Sequence, residues 1–249
     1  MAKIPKKPDA IFGEIAGDYQ RIFGSNLISI ILYGSGASED YLPGKSDLNF
    51  LITLTEPGIE RLDLTLETVA RWRKRNVAIP LFMTRAYLTG SLDAYPIEFL
   101  NMKQHYIVVA GEDVLAGLTF DPRHVRLQLE REFRGKLLHL RSGYLATEGS
   151  ARKIRELIGA SLTAFVSLFG AMLYLKGAEI PPGKRNVIDA AGQAFGIDAT
   201  VFHQCDQIRT KTDRFSSAQV RAVFRDYIKE VGRLCEKIEE MDIQAQGQP

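Results

Sequence analysis

Cysteine is scarce. Cys205 and Cys235 are the only two in 249 residues, too few for a disulfide framework. Both sit at apolar positions of helical patterns, which reads as two buried thiols in a reducing compartment, with one disulfide as the alternative. The four histidines, His105, His124, His139 and His203, show no ligand spacing with the cysteines, which argues against a zinc site. Excess charge is also missing. A net charge of +2 is too close to neutral for a protein that coats nucleic acid. No apolar run looks long and clean enough to span a bilayer. The start, Met1 to Pro8, has three lysines but no apolar core or small-residue cleavage site, so it reads as a frayed tail rather than a signal peptide. The expected location is therefore cytoplasmic. Internal repeats and low-complexity segments are absent.

What is present is an ordinary globular composition, 45% hydrophobic and 25% charged, over a length that suits two small domains. The periodicity changes character near residue 120. Before it, Ile11, Ile15, Tyr19 and Ile22 predict a helix, stopped by Gly24. Leu27 to Tyr33 predicts a buried strand that ends in Gly34-Ser35-Gly36. After a polar stretch and a Pro43-Gly44 turn, Asp47 to Leu54 predicts a second strand. Ile59 to Arg73 predicts a helix, Ala78 to Met83 a strand, and Arg85 to Asp93 a short helix. Pro96 to Met102 predicts a fourth strand and Tyr106 to Val109 a small extra one.

Beyond that point every pattern is helical. Asp121-Pro122 is an N-cap with proline at the first helical position, opening a helix to about Ala146. Ala151 to Lys176 is apolar on nearly all sides and belongs at the centre of a bundle. Shorter helices follow at Lys184 to Phe195 and Ala199 to Ile208. The last opens with a capping box at Ser216 and Gln219. The expected fold class is α+β: a mixed sheet with helices over residues 1–118, then an all-α helical bundle over 119–249.

One segment carries chemistry. Gly34 leaves a strand without a Cβ, so its backbone can approach an anion closely, and Ser35 adds a hydroxyl and an N–H. About a dozen residues later, Asp47 and Asn49 lie two apart on a strand and so share one face. Glu98, on its expected strand, would reach that face from the side. Phosphates need backbone donors, and magnesium needs acidic ligands beside them. A tight turn after a strand, and an ordinary residue where a strand begins, are the plainer readings of Gly34 to Gly36 and of Asp47.

From Leu32-Tyr33-Gly34-Ser35 through Ser46-Asp47-Leu48-Asn49, the chain resembles the nucleotidyltransferase superfamily, the DNA polymerase beta-like fold. That family uses apolar-Gly-Ser, a spacer, then Asp-x-Asp, with a third carboxylate on a later strand. It commonly adds a C-terminal helical domain. The resemblance covers about residues 27 to 113. It implies that Gly34, Ser35 and Ser46 bind a nucleoside triphosphate, ATP being the expected one. It implies that Asp47, Asn49 and Glu98 hold magnesium, with Asp47 and Glu98 as the catalytic pair. The implied reaction passes a nucleoside monophosphate to a hydroxyl of a small molecule or protein, lying against the helical domain. Asn49 departs from the pattern, because the family has its second aspartate there. An amide oxygen lacks the charge that favours a hard cation. The alternative is therefore a degenerate homologue that acts as a nucleotide-binding or protein-interaction module. Asn101 and Asp93 compete with Glu98 as the position that aligns with the family's third carboxylate.

Three weaker features have structural readings. Arg71, Arg73, Lys74 and Arg75 close a helix, where cations complement its dipole. Arg209, Lys211 and Arg214 fall in a loop between bundle helices. Arg134 and His139, five apart, do not share a helix face well.

Overall fold

Leu27–Tyr33 forms β1, and its position inside the sheet explains why it is apolar throughout. The computed structural model describes residues 4–39 and 41–241. β1 pairs antiparallel with β2 (Asn49–Leu54) on one side and with β4 (Tyr106–Gly111) on the other. β3 (Leu81–Thr84) pairs parallel with β2, giving a mixed sheet of order β3-β2-β1-β4. Strands alternate faces, so Phe50, Ile52 and Leu54 point one way and Asn49 and Leu51 the other. The first face packs under helix α1 (Phe12–Phe23) through Ile15, Tyr19 and Phe23, which recur at helical spacing. Trp72, from a later helix, closes this core.

Several local expectations fail, each for a physical reason. Pro96 to Met102 is helix, not strand. Short helices α2 (Glu56–Ile59), α3 (Leu66–Arg73) and α4 (Arg85–Gly90) come first, and α5 (Pro96–Gln104) takes the expected fourth strand. Proline suits the first turn of a helix and cannot donate to a strand ladder. The long helix expected over Ile59 to Arg73 is broken, with a 3-10 turn at Leu62–Thr65 before α3. The third strand starts late because Pro80 interrupts it, leaving only an isolated bridge between Leu48 and Val77. The N-terminal segment is not a loose tail where it is described. Pro5 is buried and its carbonyl accepts from the Tyr41 hydroxyl at 2.8 Å.

The chain divides by its internal contacts into two units, Met1–Phe120 and Asp121–Pro249. The second holds α6 (Pro122–Ala146), α7 (Ala151–Leu175), α8 (Lys184–Phe195), α9 (Ala199–Thr210) and α10 (Ser217–Glu239). The Asp121 carboxylate caps α6, and the Ser216–Gln219 capping box opens α10. The core is aromatic: Phe169 meets Phe202 edge-on at 4.9 Å between ring centroids, and Tyr227 meets Phe165 at 5.6 Å.

α7 corrects another expectation. It is long and apolar enough to cross a membrane by length and composition, with a window of mean hydropathy 1.8. Half of that window is buried inside the protein, and α7 packs against α6, α8, α9 and α10. It is the core helix of the bundle. Cys205 and Cys235 are free and buried, and burial pushes both thiols up in pKa.

Candidate nucleotide site

The site is built where β1 ends. Gly34 has φ +74°, a conformation that costs little only for glycine. The chain then makes a 3-10 turn, Gly34–Ala37, over the core. A Cβ on Gly36 would lie 2.8 Å from Leu48 Cδ2, so the close approach of turn and core needs glycine there too. The Gly34 N–H is not available to a ligand. It donates to the His105 carbonyl at 2.9 Å, tying the turn to the start of β4. Gly34 therefore shapes the turn, and Ser35 is the residue that carries a donor side chain.

Asn49 pairs directly with Tyr33 across the sheet. A Cβ built on Gly34 would sit 3.8 Å from Asn49 Nδ2, so the amide borders the turn. Leu48 and Phe50 belong to the α1-side core and Asn49 faces away from it, while β2 opens at Asn49, so Asp47 lies in the chain just before the strand rather than on it. Asp47 is exposed. Among the described residues, the side chains of Ser35, Asp47 and Asn49 have no hydrogen-bond or ion-pair partner. Ser46 is different, since its Oγ accepts from the Leu42 N–H at 3.1 Å and its N–H donates to the Leu42 carbonyl at 2.8 Å. It closes the loop that delivers Asp47.

Glu98 does not lie on a strand. It is an exposed residue of α5, which corrects its placement on a strand, and α5 packs beside the Gly34–Ala37 turn. Asn101 shares that helix, and Asp93 lies in the loop before it. None of the four strands carries a carboxylate. In the chain leading into β3 and in β3 itself, Ile79 and Leu81 are exposed apolar side chains, 62% and 38% accessible. Among the described residues no group of three or more His, Cys, Asp or Glu could hold a metal. An exposed carboxylate such as Asp47 could share one magnesium ion with a nucleotide's own phosphates.

Sequence reasoning missed Asn76. Its side-chain Nδ2 donates to the Ser46 carbonyl at 2.8 Å, and its carbonyl accepts from the Leu48 N–H at 3.0 Å. An Arg-Asn-Val stretch after a helix gives no pattern that points to this. Elsewhere, Arg75 lies over the Trp72 ring at 4.5 Å, a structural use of that basic cluster. In the helical unit a separate cavity of about 370 Å³ is lined by Lys184, Arg185 and Arg209 but also by Asp206 and Asp213. Arg209 is committed to Asp206 at 2.6 Å.

No protein-family model matches the chain, and no curated protein matches it. Among solved structures the chain is similar to spectinomycin adenyltransferase AAD(9) from Enterococcus faecialis, solved with ATP and spectinomycin. Identity is 13%, the match covers 92% of this chain and 99% of that one, and the TM-score is 0.53. The likeness establishes the architecture: a nucleotidyltransferase fold followed by a helical domain.

Proposed function

We propose that this is a nucleotidyltransferase-like protein whose N-terminal unit binds a nucleoside triphosphate, with one magnesium ion held between Asp47 and the phosphates. The observation that carries the reading is the Asn49 amide bordering the Gly34 turn, with Ser35 in the turn and exposed Asp47 two residues before Asn49. Ser35 supplies a hydroxyl donor beside a backbone without bulk. Asp47 supplies a negative charge that would attract a hard cation there. The similar enzyme was solved with ATP, which makes ATP the first nucleotide to test.

The same geometry argues for binding with little or no transfer. An acceptor hydroxyl needs a base, and a triphosphate in its transition state needs its charge neutralised. Among the described residues the strands add no second carboxylate, and the chain leading into β3 and β3 itself offer Ile79 and Leu81. The second reading is transfer of a nucleoside monophosphate to a hydroxyl of a small molecule or protein. It draws on the intact Gly34-Ser35 and Ser46-Asp47 segments, and on the small-molecule acceptor held by the similar enzyme.

Titration calorimetry with each of the four nucleoside triphosphates, in magnesium and in EDTA, tests the binding claim. Affinity should depend on magnesium in the native protein and lose that dependence in Asp47→Ala. Unchanged affinity in the variant sinks the assignment. Multiple-turnover release of pyrophosphate with a panel of hydroxyl compounds would establish the second reading instead.

A further inference from the structure

Asp47 is flanked by two peptide groups, and one residue distant in sequence holds both. The Ser46 carbonyl, on the N-terminal side, accepts from Asn76 Nδ2 at 2.8 Å. The Leu48 N–H, on the C-terminal side, donates to the Asn76 carbonyl at 3.0 Å. The next peptide continues the register, with the Ala78 N–H donating to the Leu48 carbonyl at 3.0 Å. Fixing both flanking peptides fixes the φ and ψ of Asp47, and so the direction in which its side chain leaves the backbone.

Asn76 is itself anchored. It follows α3, its N–H donates to the Arg73 carbonyl, and its neighbours Arg75 and Val77 both donate to the carbonyl of buried Trp72. Its φ is +66°. Few residues adopt that conformation, and asparagine does so readily while also offering an amide donor. Glycine would accept the backbone without the donor. Aspartate would accept it with an acceptor where a donor is needed.

We infer that Asn76 is a positioning residue for Asp47, aiming the carboxylate at the ion that accompanies the nucleotide. This rests on the reading of Asp47 given above. Groups that orient a metal ligand act on affinity for the metal, with losses of about tenfold or more when they are removed. They have no reason to act on the part of nucleotide affinity that persists without metal.

The test is titration calorimetry of ATP in magnesium and in EDTA for the native protein, Asn76→Gly, Asn76→Asp and Asp47→Ala. Thermal unfolding without ligand and amide exchange at Leu48 are followed alongside. Asn76→Gly should keep the Leu48 amide protected, leave affinity in EDTA unchanged and weaken the magnesium-dependent part about tenfold. Asn76→Asp should do the same, and serves if the glycine variant does not fold. A native magnesium response in either folded Asn76 variant, with Asp47→Ala impaired, overturns this inference alone. A native response in Asp47→Ala overturns the site reading and this inference with it.

Discussion

The amide of Asn49 borders Gly34, 3.8 Å from where a side chain at that glycine would begin. The pairing of Asn49 with Tyr33 puts it there, so the residue that departs from the two-aspartate pattern faces the turn directly. Replacing it tests the chemistry of the site with little change of shape. Asn49→Asp adds a second carboxylate beside Asp47, which should repel it without metal and hold magnesium more strongly with it. Thermal unfolding across a magnesium series should show a larger stabilisation by the ion in the variant than in the native protein, as any ligand of the native state provides. Equal magnesium dependence in the two proteins would mean that residue 49 does not meet the ion.

Asp18 and Trp72 make a second testable pair. Asp18 is buried, accepts from Trp72 Nε1 at 3.0 Å, and pairs with Arg21 and Arg71. Both arginines are more than half exposed, so each pair contributes little by itself. The buried indole N–H is another matter, because leaving it unpaired costs its full desolvation. Asp18→Ala should destabilise the N-terminal unit by about 2 kcal/mol, and Arg21→Ala or Arg71→Ala by under about 1 kcal/mol. Trp72 is the chain's single tryptophan, so its fluorescence during urea unfolding reports on this unit. Equal losses in Asp18→Ala and Arg71→Ala would remove the indole from the account.

How much of this was legible beforehand follows from what kind of signal each element sends. β1 and the glycine turn are local patterns, and the sequence shows them, whereas β2 opens at Asn49, two residues later than expected, and leaves Asp47 just before it. α6 to α10 announce themselves through caps and long periodic stripes. Pro96 to Met102 misleads because a short apolar run bounded by turns suits a strand or a buried helix equally, and only Pro96 favoured the helix. That one error moved Glu98 from a strand to a helix, α5, which packs beside the Gly34–Ala37 turn. Asn76 was invisible for a different reason. Its role depends on a left-handed loop residue meeting a strand thirty positions away, and no periodicity encodes that.

The two units should separate, a proposal from the distribution of their cores. The aromatic cluster of Phe133, Phe165, Phe169, Phe202, Phe224 and Tyr227 lies wholly within the helical unit. Protease is a blunt probe of the boundary, since Leu115, Leu118 and Phe120 are buried. Lys103 also ties the preceding loop to α5 through the Ala116 and Leu118 carbonyls. Expressing residues 121–249 alone is sharper. The product should be monomerically soluble, helical by circular dichroism and cooperative on heating. A helical product that melts without a cooperative transition would count against an independent domain.

Asp121 sets an acid-sensitive contribution at the start of the helical unit. The Arg123 guanidinium and backbone N–H both donate to its carboxylate and hold its pKa at about 2, below the usual 3.8. A carboxyl depressed in the folded state contributes stability that is fully present above its unfolded pKa. That contribution is lost as pH falls from about 4 through about 2. Asp121→Asn keeps the cap acceptor for the Arg123 N–H and removes the charge. The native protein should therefore be the more stable of the two near neutrality, with the difference closing between pH 4 and pH 2. The group is near the surface, so 1 M salt should shrink the neutral-pH difference as well. Urea midpoints of residues 121–249, native and Asp121→Asn, measured from pH 7 down to pH 2, give the answer. A constant difference across that range would mean that the charge on Asp121 contributes nothing and that the cap works through its hydrogen bond alone.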